Sequence, residues 1–587
     1  MIVSPMSHES LASAAPVSTC PAKAGHYSFE PSIRTEWRAM LILPLWFVAV
    51  AMAIGVRREI PVIDDWTYAW SVERLFAEGR FEVLDWSAVY PLGHSLWGAA
   101  WSLVFGFSFA TLRLSTLALS LVATCTLYLI LRELDARPRV ALLGALTAAV
   151  NPVVLLLSSS FMTDIPFVAW TLLALLCYIR AMRRSQIHLL WWGGAWACMA
   201  FLDRQIALLT PLAALPLIMP RRGSEPTRSS VLLALGATWG AMLVCSLLMM
   251  SLVKPTGEML KLVDRLQELL ALPVTSYVRN NLYILSTVAF YALPALLAMA
   301  AVRRLWRRPL LFVVILSLAA IMFGLAGEIP IPLRPGNTWS LVEVGGSRGL
   351  INGILPPSDR TTIEMVLRGA GLLALGLALM SLSWREAHSA PAPTASTWRP
   401  GFRRLLDAAA TLSTSPRMPL VIYLIAYLVL ANVLWMYNDR YLIVLLPVVV
   451  ALALGGRQQG AEVPRLAWIP IAIFAAVAVV GTRDALRFNQ SLHDSWQSLV
   501  DSGVPPADVD AGYVWNGWWL YAHPTNLAKG QTVEDVPWIT TERRSTYVLS
   551  TSVLTGYDVV RAVAWTDDLP WPGPDRFLIL KRQAASR

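Results

Sequence analysis

Val89-Tyr90-Pro91-Leu92-Gly93-His94-Ser95-Leu96-Trp97-Gly98-Ala99-Ala100-Trp101-Ser102-Leu103-Val104-Phe105-Gly106-Phe107-Ser108-Phe109-Ala110 carries no formal charge. A helix needs about 20 apolar residues to cross the hydrocarbon layer, so the run is long enough to span. It also contains Pro91, Gly93, Gly98 and Gly106 and follows an acidic, aromatic stretch, a composition that suits a broken segment lying along the membrane surface. If it crosses, every later loop changes side. The rest of the chain supplies the means to decide.

The chain has 587 residues, 56% hydrophobic and only 15% charged, with 25 tryptophans, which excludes a soluble globular enzyme, a disordered protein and a disulfide scaffold. Its net charge of +10 sits in short clusters between apolar runs, a sign of membrane topology and not of a nucleic-acid surface. Cys125, Cys177, Cys198 and Cys245 lie inside apolar runs and Cys20 stands alone, so no paired or metal-binding cysteine framework is expected.

About thirteen apolar spans are expected, starting near residues 39, 114, 140, 166, 188, 206, 229, 282, 309, 369, 418, 441 and 466. Short cytoplasmic loops retain Lys and Arg. With residues 89–110 kept at the outer interface, about 23 basic and about 9 acidic residues fall inside, leaving about 25 against about 29 outside. Crossing there would put four arginine clusters outside, so the interfacial placement is adopted. The expected plan is a cytoplasmic tail, 1–38, which is no signal peptide. A membrane domain, 39–482, and an extracytoplasmic C-terminal α/β domain, 483–587, follow. Within the membrane domain, 57–113 and 328–368 are extracytoplasmic loops and 385–417, with Ala390-Pro391-Ala392-Pro393, is a flexible cytoplasmic linker. The protein is thus expected in a cytoplasmic (inner) or plasma membrane, N-terminus in and C-terminus out.

Two acidic positions then share the outer face. One is Asp64-Asp65 in Ile63-Asp64-Asp65-Trp66-Thr67-Tyr68, just beyond the first span and ahead of an amphipathic helix, Tyr68 to Ala77, closed by Glu78-Gly79. The other is Asp164 in Thr163-Asp164-Ile165-Pro166, between two spans. A carboxylate at that depth is costly unless it faces water or a partner. Ordinary explanations compete: adjacent acids outside a span are often solvated loop residues, and Asp before Ile-Pro suits a helix cap. Both fall on one face only in the topology that the arginines select.

This order of parts resembles the polytopic GT-C glycosyltransferases. It comprises an acidic pair after the first helix, an amphipathic segment ending Glu-Gly, an interfacial run with Tyr90-Pro91-Leu92, and the helix start Leu112-Arg113-Leu114. Thr163-Asp164-Ile165-Pro166 and Asp439-Arg440-Tyr441-Leu442 complete it. The likeness is to relatives of dolichyl-phosphate-mannose protein mannosyltransferases and bacterial aminoarabinose lipid A transferases, over roughly the first 210 residues and around Arg440. It implies an all-α polytopic membrane fold and transfer of a sugar, with inversion, from a polyprenyl-phosphate carrier to a lipid, glycan or protein acceptor outside the cytoplasm. Asp64 stands at the position of that family's first-loop catalytic acid, and Asp65 where the family often has Glu. The family's Lys-Pro-Pro-Leu is here Val89-Tyr90-Pro91-Leu92, so the lysine that would meet the carrier phosphate is missing.

The chemistry can also be argued from the residues alone. A sugar carried on phosphate already has a good leaving group, so the protein must supply a base for the incoming hydroxyl and cations for the departing phosphate. Asp64 is expected as the base, Asp65 as the alternate, and Asp164 as a third catalytic acid. Arg440, Arg204 and Arg348 are the phosphate candidates, because a guanidinium offers two parallel donors; local pairing of Asp203 with Arg204 and of Asp439 with Arg440 is the competing explanation. Trp66, Tyr68 and Tyr90 are candidates for stacking on the acceptor. For Trp515, Trp518 and Trp519 groove and membrane-belt readings both stand. The seven histidines show no ligand spacing, and no metal or other cofactor is expected, although three acids such as Asp64, Asp65 and Asp164 have the chemistry to hold a divalent ion. The rival from another class, a transporter or lipid flippase, predicts mid-span charges and internal repeats; no repeat is visible.

Overall fold

The computed structural model describes residues 33–218, 227–254, 256, 272–302, 369–371, 373–378, 415–434, 438–456, 463, 465–536, 545–565 and 576–583. Arg348, the 328–368 loop, residues 385–414 of the linker and the span expected near 309 lie outside the described residues. The architecture is helical with one small C-terminal sheet.

α1 (Ile33–Ile54) begins six residues before the expected start of the first span at 39. Its polar first turn is held because Glu36 accepts from Arg132 at 2.7 Å and from the Tyr128 hydroxyl. α2 (Asp65–Glu78) ends where Gly79 takes φ 67 and donates to the Leu75 carbonyl, the left-handed stop that a Glu-Gly pair announces.

The decisive run folds as α3 (Leu92–Phe105), 14 residues that Gly106 terminates at φ 81. At 1.5 Å per residue α3 is about 21 Å long, well short of the roughly 30 Å hydrocarbon layer. It packs on α2, on α4 (Phe109–Glu133) and on α8 (Ile187–Asp203). Gly98 makes this possible: a Cβ there would lie 2.6 Å from the Phe161 ring and 2.9 Å from Val72. α4 starts five residues earlier than expected. Ser108 caps it by accepting from the Thr111 amide, and the Glu59 carboxylate accepts from the amides of Phe109 and Ala110.

α5 (Pro138–Ala149) and α6 (Pro152–Ser158) form a pair bent by 68° at Asn151, whose side chain caps α6. α7 (Asp164–Arg184) and α8 are followed by a 3-10 run, Gln205–Ile218, broken from α-helix by Pro211 and Pro216. α9 is Arg228–Leu252; α10 (Val274–Tyr291) and α11 (Leu293–Val302) make a second 68° bend. α12 (Met418–Val433), α13 (Asp439–Leu442) and α14 (Leu445–Leu454) precede the 33-residue α15 (Ile469–Asp501). Among the described residues five helices are long and apolar enough to cross a membrane, and seven spans result if each bent pair is one. The chain is an integral membrane protein of helical architecture.

α15 is about 50 Å long, about 20 Å more than the hydrocarbon layer, so its C-terminal end extends past it. There it supports the sheet, whose order is β1 (Val509–Asp510), β2 (Tyr547–Ser550), β4 (Arg576–Arg582), β3 (Tyr557–Ala564), with β1 parallel to β2 and the rest antiparallel. Phe488 packs edge-to-face against the stacked Trp565 and Phe577 between helix and sheet, and Trp565 donates to Asp484 at 3.2 Å. The helical end of this region, α16 (Tyr513–Asn516) with the π-turn Gly517–Tyr521, folds back onto α2.

Candidate active site

The backbone of Ile60 to Asp65 sets the site. Its upstream carbonyls would be left without partners, and Arg113 satisfies them: the buried guanidinium donates to Val56, Arg58 and Ile60 at 2.8 to 2.9 Å and to Ser159 at 2.6 Å. Ile63 then takes φ 60, a strained value for a β-branched residue. The turn sends the two adjacent acids apart. Asp65 points inward, accepting from the amides of Val62 (2.6 Å) and Phe161 (3.3 Å). Burial raises its pKa to about 7, against the lowering effect of Arg113 and the two amides. Asp64 points outward, a quarter exposed.

Asp64 meets Arg440 at 2.7 Å through Oδ2 and the Tyr513 hydroxyl at 2.7 Å through Oδ1. Arg440 is aimed by Asn438, whose side chain caps α13 through the Arg440 amide, and its Nη2 donates to the Tyr441 hydroxyl at 3.1 Å. Asp164, buried in the first turn of α7, pairs with Arg204 Nη1 at 3.0 Å, and Arg204 Nε donates to Thr163. Both guanidiniums lie over the Tyr441 ring, at 5.3 Å for Arg204 and 5.0 Å for Arg440. Tyr427 holds that loop by donating to the Tyr441 carbonyl. Tyr68 is buried beside all four charges; its phenol pKa is raised by burial and by the two aspartates, and lowered by the two arginines. Two carboxylates, two guanidiniums and two phenols thus meet from α2, α7, α8 and α13, with a third phenol from α16.

Asp164 does not serve as a cap, and the local pairs Asp203–Arg204 and Asp439–Arg440 do not form: each arginine reaches a distant aspartate instead. Asp203 is buried at the start of α3, where a Cβ on Gly93 would lie 2.5 Å from its Oδ1, and Asp439 accepts from Tyr291 at 3.4 Å. Asp65, expected as the alternate base, is held by backbone amides away from the cluster. Among the described residues Asp64, Asp65 and Asp164 form no joint metal-ligand group, each having its own partners.

The acceptor expectations are corrected in part. Trp66 is fully buried, with Tyr513 and Tyr521 at its edges and Gly517 so close that a Cβ there would lie 2.5 Å from the indole, so no face is left for a sugar. Tyr68 is buried, with His94 edge-on to its ring at 6.0 Å between centroids. Tyr90 is clasped through its backbone by Gln205 at 3.3 and 3.0 Å. Trp515 and Trp519 stack with Trp496 of α15, and Trp518 packs on Phe109, so this motif is the seam of the C-terminal region. Tyr441 and Tyr513 are the site residues that the sequence does not mark by themselves; Tyr441 adjoins Arg440, while only the fold brings Tyr513 to Asp64 across 449 positions.

Residues 91–252 match the model of a family described as dolichyl-phosphate-mannose-protein mannosyltransferase. The match bears out the resemblance to GT-C polytopic glycosyltransferases over that segment. No curated protein sequence matches the chain. Among solved structures it is similar to the Saccharomyces cerevisiae protein O-mannosyltransferase Pmt1-Pmt2 complex bound to the sugar donor, at 16% identity and TM-score 0.29, covering 36% of this chain and 34% of that one. It is similar to the Archaeoglobus fulgidus oligosaccharyltransferase at 14% identity and TM-score 0.41, covering 81% and 59%. A third likeness is to ArnT from Cupriavidus metallidurans bound to undecaprenyl phosphate, at 13% identity and TM-score 0.39, covering 94% and 99%. The chain thus spans about a third to three-fifths of the first two structures it resembles.

Proposed function

We propose that this chain, whose residues 91–252 fall in the dolichyl-phosphate-mannose-protein mannosyltransferase family, is a membrane glycosyltransferase. It moves a sugar from a polyprenyl-phosphate carrier to an acceptor hydroxyl on the extracytoplasmic side, with inversion. The observation that carries the reading is the meeting of Asp64, Asp164, Arg204 and Arg440 around Tyr441. Asp64 is the base: part-exposed, it takes the acceptor proton as the acceptor oxygen bonds to the anomeric carbon and the bond from that carbon to phosphate breaks. The electron pair leaves with the polyprenyl phosphate, whose charge Arg440 and Arg204 receive. Planar forks suit that task, and they take over from the missing Lys-Pro-Pro-Leu lysine. Asp164 positions Arg204. The gathering of buried charge at one end of the helices, with no internal repeat, favours an enzyme over a transporter.

Membranes containing Asp64→Asn, given labelled polyprenyl-phosphate sugars, are expected to lose transfer by about 10²- to 10⁴-fold at normal protein level. Arg440→Gln should fall comparably, with weakened donor binding. Wild-type transfer rates in a well-inserted Asp64→Asn protein would remove Asp64 as base.

A further inference from the structure

The two carboxylate oxygens of Asp64 are engaged differently. Oδ2 faces the Arg440 guanidinium, and Oδ1 accepts from the Tyr513 hydroxyl at 2.7 Å. Trp86 donates its indole N–H to the same phenol oxygen at 2.6 Å, so the phenol proton is directed at Asp64. A general base must lie about 2.6–3.2 Å from the hydroxyl it deprotonates. The phenol therefore stands at the distance and in the donor role that an incoming hydroxyl must take.

We propose that Tyr513 holds the acceptor's place on Asp64: its phenol occupies Oδ1 until an acceptor hydroxyl displaces it, so the Tyr513 side chain is the gate at which the acceptor docks. This rests on the reading of Asp64 as base. The backbone that carries Tyr513 is anchored, with Trp515 and Trp519 stacked on Trp496, Trp518 on Phe109 and Gly517 on Trp66, so it is the side chain that moves. The phenol itself is a poor nucleophile here, since burial and the Asp64 charge raise its pKa.

With the gate open and no acceptor present, water takes the acceptor's role. Its oxygen bonds to the anomeric carbon, Asp64 takes its proton, and polyprenyl phosphate leaves with the electron pair of the broken bond. The full-length protein in membranes, given a panel of radiolabelled polyprenyl-phosphate monosaccharides, should therefore release free sugar about tenfold faster as Tyr513→Phe than as wild type. That factor is the low end of one hydrogen bond to a charged group. With 1-hexanol as a small hydroxyl probe, KM should fall while kcat changes little. Labelling of Asp64 by a water-soluble carbodiimide, read by mass spectrometry, should rise in Tyr513→Phe whether or not the donor turns over. Trp86→Phe, which frees the phenol from its second partner, should shift hydrolysis and labelling the same way by less. Unchanged hydrolysis and unchanged Asp64 labelling, with kcat alone reduced, would overturn the proposal and leave Tyr513 as a support for Asp64. Loss of all turnover in Asp64→Asn together with unchanged Tyr513→Phe would sink the gate and spare the base; full turnover in Asp64→Asn would sink the base.

Discussion

Arg113 shows how a single side chain can decide where chemistry becomes possible. The loop that delivers Asp64 has few backbone hydrogen bonds of its own, and one guanidinium with donors on every side supplements them. Lysine has three donors on one point and cannot bridge carbonyls on two segments. Arg113→Lys is expected to cost on the order of 3 kcal/mol, because buried carbonyls are left without partners. Thermal unfolding of the detergent-purified protein measures the loss, and an unchanged midpoint would refute the clamp. At the same scale Ile63 explains why neighbouring acids have unlike fates: its left-handed backbone sends Asp65 to amides and Asp64 to Arg440.

Among the elements, α3 is the one whose character sets the topology. Its glycines serve close packing: at Gly98 the Phe161, Val72 and Leu112 side chains approach to 2.6–3.0 Å of where a Cβ would be. Gly98→Val should therefore force α3 off α2 and α4, at a cost of about 1–3 kcal/mol. The fall in thermal midpoint should come with loss of transfer, since α2 carries Asp64 at its N-terminus; a variant as stable as wild type would mean that α3 does not pack as described. α7 makes the complementary point. Asp164 opens it and Arg180, Arg183 and Arg184 close it, so one helix of about 30 Å carries candidate-site charge at one end and a basic cluster at the other.

For the whole molecule, the C-terminal region contributes to the candidate site and is not an appendage. Trp66 is roofed by Gly517, Asp64 is bound by Tyr513, and Glu73 accepts from His523. Burial lowers the His523 pKa, but the Glu73 and Trp518 acceptors outweigh it and the net shift is upward. A raised histidine pKa means that the contact stabilises fully below the unfolded value near 6.5 and is lost as pH rises through the folded value. Proteolysis of the C-terminal region should therefore quicken as pH rises from 6 to 8, and Glu73→Gln should flatten that dependence. A Glu73→Gln protein with the wild-type profile would show that the pair does not fasten the region.

Composition, the apolar runs and the arginine clusters were enough to determine a polytopic helical membrane protein with its acids on one face. These are solvation properties, and each residue contributes to them wherever its neighbours end up. The Glu78-Gly79 stop and the broken character of residues 89–110 were legible for the same local reason. Partner choice was not. Asp203 and Asp439 sit beside Arg204 and Arg440 in sequence, yet the arginines pair with Asp164 and Asp64, and Trp66 looks like a sugar platform until packing covers it. An ion pair or a hydrogen bond depends on distance and direction within a few ångströms, and over separations as long as 449 residues only the folded chain sets those.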